Sequence, residues 1–216
     1  MINYMIKHPD KLLELTWEHL QITLITVVIA FLIAYLVAML MYRFDILTVP
    51  VNGICNAIFA IPTLAMFSML IPLTGLGADT AIITLILYNQ FILTKSIHSA
   101  FVGIPPSVIE AANGMGMESK QVYWGVKLPL AMPGIVSGLK MSVVSTITMA
   151  TLASTIGAGG LGVLLFDGMA MKKWSQVLWG VLLSAVMALI ASALLHRLEN
   201  YVLARARGEC QGKTKL

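Results

Sequence analysis

Residues 110–129, EAANGMGMESKQVYWGVKLP, interrupt an otherwise apolar chain with the side chains best suited to joining a second protein. Glu110 offers a carboxylate to a basic side chain. Ala111 and Ala112 let a foreign surface come close, and Gly116 ends or bends a helix without steric cost. Upstream, Pro105 and Pro106 suit a helix entry and Ser107 an N-cap, which predicts a short helix over 108–115. Residues 117–121 then open a second polar helix that Pro129 closes. As a solvated loop the stretch would leave Met115, Met117, Val122, Tyr123 and Trp124 in water. It reads as a docking element.

A second set of polar groups lies inside apolar runs: Asn89, Gln90 and Lys95 in one, Ser142, Ser145, Thr146 and Thr148 in another. Such groups bond one helix to the next or line a passage. Both readings stand, and Asn89, Gln90, Ser142, Ser145 and Thr146 are the candidate pore-lining residues. Other patterns lack their context. Residues 157–162, GAGGLG, match G-x-G-x-x-G, but that fingerprint needs a strand before it and a βαβ unit around it. Here the glycines serve close backbone packing or a bend at the outer end of a helix. Residues 208–214 approach a phosphate-binding loop with one residue too few between the glycines. The chain is therefore not expected to hold an ATP site of its own. His8, His19, His98 and His196 show no metal-ligand spacing and no neighbouring nucleophile, and Cys55 and Cys210 form no disulfide framework. The methionines suit apolar packing. No cofactor, metal or catalytic residue is expected.

The elements that position these residues follow from composition. With 58% hydrophobic and 11% charged residues, a soluble domain is excluded, and uncharged runs of bilayer-spanning length predict an all-α polytopic membrane protein. The formal charge of +4 is spread over loops and ends, so it speaks for topology and not for nucleic acid. Residues 1–19 are amphipathic, with Trp17 placed for an interface. The run 20–41 is too long for a signal-peptide core and lacks a cleavage site, so it reads as an uncleaved first helix. A second helix is expected at about 50–71, bent near Pro62, and a third at about 80–100. The fourth follows at about 132–153 with Lys140 inside it, then a glycine-rich connection over 154–173 and a fifth helix over 174–195. Five spans put the termini on opposite sides. Arg43, Lys95, Lys120, Lys127, Arg197, Arg205, Arg207, Lys213 and Lys215 share one side, against Lys7, Lys11, Lys172 and Lys173 on the other. The bias predicts an external N-terminus and a cytoplasmic C-terminus, with residues 110–129 in the cytoplasm. The chain divides into an extracytoplasmic segment 1–18, a transmembrane domain 19–200 with its polar loop at about 104–130, and a cytoplasmic tail 201–216.

The spacing Glu110-Ala111-Ala112, three residues, Gly116, nine residues, Val126-Lys127-Leu128-Pro129 resembles the EAA loop of ABC importer permeases, with Val126 for the usual isoleucine. With the segments AIPTLA (60–65), IPP (104–106), KLPLA (127–131) and TLAS (151–154), and with 156–162, the chain resembles the osmoprotectant importer permeases from about 20 to 197. The resemblance implies a type I, methionine-permease-like fold of about five transmembrane helices. Its coupling residues would be Glu110, Ala111, Ala112, Gly116, Leu128 and Pro129. It also implies two ATPase subunits, a second permease copy or paralogue, a separate extracytoplasmic binding protein, and residence in the bacterial cell membrane. The implied solutes are glycine betaine, carnitine or choline. The methionine or other amino-acid importer permease is the alternative, since it shares the helix plan and the glycine run. Ile92, Lys95 and Lys140 stand where the osmoprotectant family tends to proline, arginine and arginine. Lysine lacks arginine's fork of donors, so solute preference is open to a shift.

Overall fold

The computed structural model describes residues 2–206, which form helices and tight turns. A short α1 (Ile2–Lys7) leads into α2 (Pro9–Arg43), which opens with proline at its first turn and Asp10 beside it. The first span is therefore longer than 20–41, and part of the expected external segment belongs to the same helix. Its buried stripe includes Ala30, Ala34 and Ala38, all fully buried. Small residues four apart let α5 (Ala78–Val102) lie close, with Leu93, Ile97 and Phe101 packed into the same cluster.

The second span is not one bent helix. α3 (Thr48–Ala60) and α4 (Thr63–Thr74) meet at 97°. Ile61, before Pro62, is pushed to extended backbone (φ −71°, ψ 129°), where a helix cannot continue. The break frees the Ile61 carbonyl, and the Tyr88 hydroxyl of α5 donates to it. An apolar medium leaves such a carbonyl no other donor.

Past α6 (Pro106–Gly114) and α7 (Ser119–Val122), a π-helical stretch Tyr123–Lys127 runs into α8 (Leu128–Ala153). Residues 119–156 thus form one rod. Pro129 lies in the first turn of α8, directly after the π-helical stretch, so the rod continues where the sequence pattern had Pro129 close a helix. α8 packs along α5 through Gly134 and Gly138. A Cβ on Gly134 would lie 2.8 Å from that of Ala100, and one on Gly138 would overlap Ser96.

The glycine-rich connection does what close packing requires. Gly157, Gly159 and Gly160 all have positive φ. The turn they build lets the Gly160 N–H donate to Glu18 Oε2 (2.8 Å) and the Leu161 N–H to His19 Nδ1 (3.3 Å). With Nδ1 accepting, His19 donates from Nε2 to the Ile147 carbonyl (3.0 Å). α9 (Gly162–Ala170) then dips back into the bundle, and α10 (Trp174–Ala206) returns along α8 and α9. α10 extends well past the expected end at 195. Five membrane crossings result when the bent pair α3–α4 counts as one. The tail charges Arg207, Lys213 and Lys215, and the glycine–lysine pattern at 208–214, lie outside the described residues.

Candidate coupling site and transmembrane polar seam

α6 is built by its ends. Pro105 holds the N-cap position in extended conformation (φ −57°, ψ 132°), and Pro106 occupies the first turn. Ser107 is consequently already inside the helix, and no side chain caps it. At the other end Gly116 takes φ +79°, where its N–H donates to the Asn113 carbonyl (2.9 Å) and that of Met117 to Ala112 (3.3 Å). Left-handed backbone of this kind favours glycine. Gln121 Oε1 accepts from the Glu118 N–H (2.8 Å) and starts α7.

The residues expected to couple do not all face outward. Glu110, Ala111 and Gly116 are exposed, whereas Ala112 is buried at 2%. Only one of the two alanines offers a foreign surface close approach; the other seats α6 on its own chain. Leu128 and Pro129 are half-buried at the start of α8. Of the apolar side chains that a loop would have exposed, Val122 is buried and Tyr123 and Met117 are half-buried. Met115 (76%) and Trp124 (60%) remain open.

Tyr123 moors this segment to the bundle. Its hydroxyl is paired with that of Tyr35 on α2 and lies 3.7 Å from Met39 Sδ. Its ring stacks on Phe101 at 6.0 Å with 6° between planes. Lys127 Nζ sits 5.1 Å from the Tyr42 ring, which lies tilted by 48° against Phe101 at 5.6 Å. The π-helical turn that carries Tyr123 and Lys127 adds a residue to the helix repeat, which re-aims side chains at functional positions. Aromatic contacts thus join this segment to α2 and α5, and the backbone joins it to α8. The hydroxyl pairing across so many residues had no local sequence signal.

The membrane-buried polar groups separate into two classes. Asn89 Nδ2 donates to Thr146 Oγ1 and to the Leu85 carbonyl (2.8 Å each), and Ser142 Oγ donates to Asn89 Oδ1 (2.5 Å). Thr146 donates to the Ser142 carbonyl (2.7 Å). All three side chains are closed from solvent between α5 and α8, so within this chain they clamp helices and line no opening. Gln90 likewise bonds α5 to the Ala30 carbonyl of α2 (3.2 Å). Ser145 differs: with Lys140, Met141, Val144, Thr148, Met149 and Ser192 it lines an open groove of about 430 Å³ between α8 and α10. Lys140 is matched by Glu199 of α10 at 2.5 Å, with His196 3.6 Å from the same carboxylate oxygen. A lysine inside a span demands a counter-charge, but the sequence did not say which acid answers it. Among the described residues no group of three or more His, Cys, Asp or Glu is arranged to hold a metal ion.

Residues 20–208 match the family described as the binding-protein-dependent transport system inner membrane component. The chain belongs to this family. It is a membrane permease subunit of an importer that works with an ATPase and a binding protein. It is 33% identical over 203 residues to the osmoprotectant import permease protein OsmW of Salmonella typhimurium, covering 92% of this chain and 94% of that one. To the choline transport system permease protein OpuBB of Bacillus subtilis it is 30% identical, with 90% of each chain covered. In structure it is similar to the permease of the inward-facing MetNI methionine ABC transporter. The TM-score is 0.81 at 23% identity, over 88% of this chain and 95% of that one. The type I, methionine-permease-like fold expected for this family is thus present.

Proposed function

We propose that this permease forms half of the translocation pathway of an ATP-driven importer for a small quaternary ammonium osmoprotectant such as glycine betaine, carnitine or choline. The observation that carries the coupling half of this reading is the unbroken rod from α7 through the π-helical turn into α8, with α6 and its exposed Glu110 at its head. Two ATPase subunits, which alone hydrolyse ATP, would hold two coupling helices. One belongs to this chain and one to a second copy or a paralogue. Closure of the ATPases draws the helices together and rotates α8 against its counterpart, switching the pathway from inward- to outward-facing. A separate extracytoplasmic binding protein delivers the solute. The groove lined by Ser145 becomes part of the pathway when the second subunit covers it, while Asn89, Gln90, Ser142 and Thr146 hold the helices in register.

The solute class is supported by relatives named for osmoprotectants, carnitine and choline over nearly the whole chain. A methionine or other amino-acid importer is the second reading, favoured by the likeness to MetNI. Cells stripped of other osmolyte importers and given this permease with its ATPase and binding protein should regain betaine, carnitine or choline uptake at high salt. Restoration of methionine uptake alone would replace the first reading with the second.

A further inference from the structure

The groove between α8 and α10 has one charged end and an uncharged floor. On α8 its lining runs from Lys140 to Met149, about 14 Å at the helical rise. Met141, Val144 and Met149 give it apolar and thioether surface, and no acid or aromatic ring lines it. Its hydroxyls are those of Ser145, Thr148 and Ser192. Thr148 is engaged with the Val144 carbonyl (3.1 Å), whereas Ser145 and Ser192 have no partner among the described residues. The Lys140 ammonium makes one bond, to Glu199 Oε2, and an ammonium carries three donors. Two are left for a ligand. Both members of the pair keep some exposure, so an open ion pair and not a sealed one stands at this end of the groove.

We propose that Lys140, backed by Glu199, is a carboxylate-reading position in the translocation pathway, so that the pathway favours zwitterions such as glycine betaine and carnitine over the cation choline. The inference rests on the reading of the Ser145 groove as part of that pathway. A quaternary ammonium donates no hydrogen bond, so methionine and valine can surround its methyl groups without leaving a donor unmet. A carboxylate brings acceptors that an apolar floor cannot satisfy, and the spare Lys140 donors answer them with charge-assisted bonds. Laid beside the ion pair, a zwitterion sets its carboxylate on Lys140 and its cationic end toward Glu199. Opposite charges then meet at both ends, and no net charge enters the membrane interior. Choline brings a cation with no carboxylate, and Lys140 repels it. The primary ammonium of an amino acid brings three donors of its own, for which the groove holds hydroxyls alone.

The test uses the permease with its ATPase in lipid nanodiscs, without the binding protein, so that only the pathway discriminates. A single thiol is placed by Ser145→Cys in a chain lacking Cys55 and Cys210, and its modification by a small thiol reagent is timed against rising solute. Betaine and carnitine should protect it, and choline should need about tenfold more or beyond for the same protection. In the background Lys140→Met with Glu199→Leu, which removes both charges together and strands neither, betaine should lose that advantage over choline. Lys140→Arg should keep it. Monodisperse elution with the ATPase checks that each variant is folded. If choline protects at the same concentration as betaine, or if the uncharged background is protected like the parent, Lys140 does not read the carboxylate. The inference then fails while the groove keeps its place in the pathway. If no solute protects Ser145→Cys although the complete importer takes up betaine, the groove lies outside the pathway and that reading falls too. Methionine protecting as well as betaine would refute the preference for a quaternary head group.

Discussion

Replacing Lys140 by methionine should strand the Glu199 carboxylate between α8 and α10. The two groups meet at 2.5 Å, and their side chains are only 25% and 20% exposed. Removing one member of a buried pair costs about 3–5 kcal/mol, while an exposed pair contributes about 0–1. At this degree of cover we expect Lys140→Met to cost about 2–4 kcal/mol, tempered by the His196 ring 3.6 Å from the same oxygen. Glu199→Gln should cost less, since an ammonium on a long stem can move toward water. The double variant Lys140→Met with Glu199→Leu fills the space with apolar atoms and should return to within about 1 kcal/mol of the parent. The assay is denaturant-induced unfolding of the purified permease with its ATPase, analysed as a double-mutant cycle, alongside uptake in liposomes. A coupling energy below about 0.5 kcal/mol would refute the argument, because two charges that matter to each other cannot be additive.

Gly138→Leu should part α5 from α8, because a Cβ there overlaps Ser96; overpacking of this kind costs about 1–3 kcal/mol and would lower thermal stability in detergent. Unchanged stability would mean the two helices do not approach as closely as described. Gly116→Val should weaken ATPase docking while insertion stays normal. The position has φ +79° with nothing within 4 Å, so the loss is backbone strain of about 1–3 kcal/mol and not a clash. Gly116→Asn, which tolerates left-handed backbone, should keep most of the docking, and equal behaviour of the two variants would count against the strain argument. Single cysteines at Asn3 and Lys213, in a chain lacking Cys55 and Cys210, should label from opposite faces of the membrane. Labelling from one face would end the five-span topology.

What the chain alone determined is local or periodic. Runs of apolar residues without charge have only one stable form in a bilayer, so helices and their approximate number were legible from composition. The helical ends of the polar element at 105–121 were legible because Pro105, Pro106 and Gly116 act at fixed short offsets, which a linear reading captures. Proline and glycine also spoke locally, yet their meaning depended on context. Pro62 marked a bend, but only Tyr88, arriving from α5 to cap the Ile61 carbonyl, made a break of 97° tenable. Pro129 looked like an end because proline suits a helix boundary, but the π-helical turn before it carries the rod straight through. The close approach of Gly134 to Ala100 and of Gly138 to Ser96 emerged only from the packing of α8 on α5. The tertiary structure alone decided the pairings: Glu18 and His19 with the 160–161 backbone, Tyr35 with Tyr123, Lys140 with Glu199, and Asn89 with Ser142 and Thr146. The physical reason is shared by all of them. A polar group excluded from water must find a partner, but which one it finds is set by how parallel and antiparallel helices stack, and that arrangement lies in no single stretch of sequence.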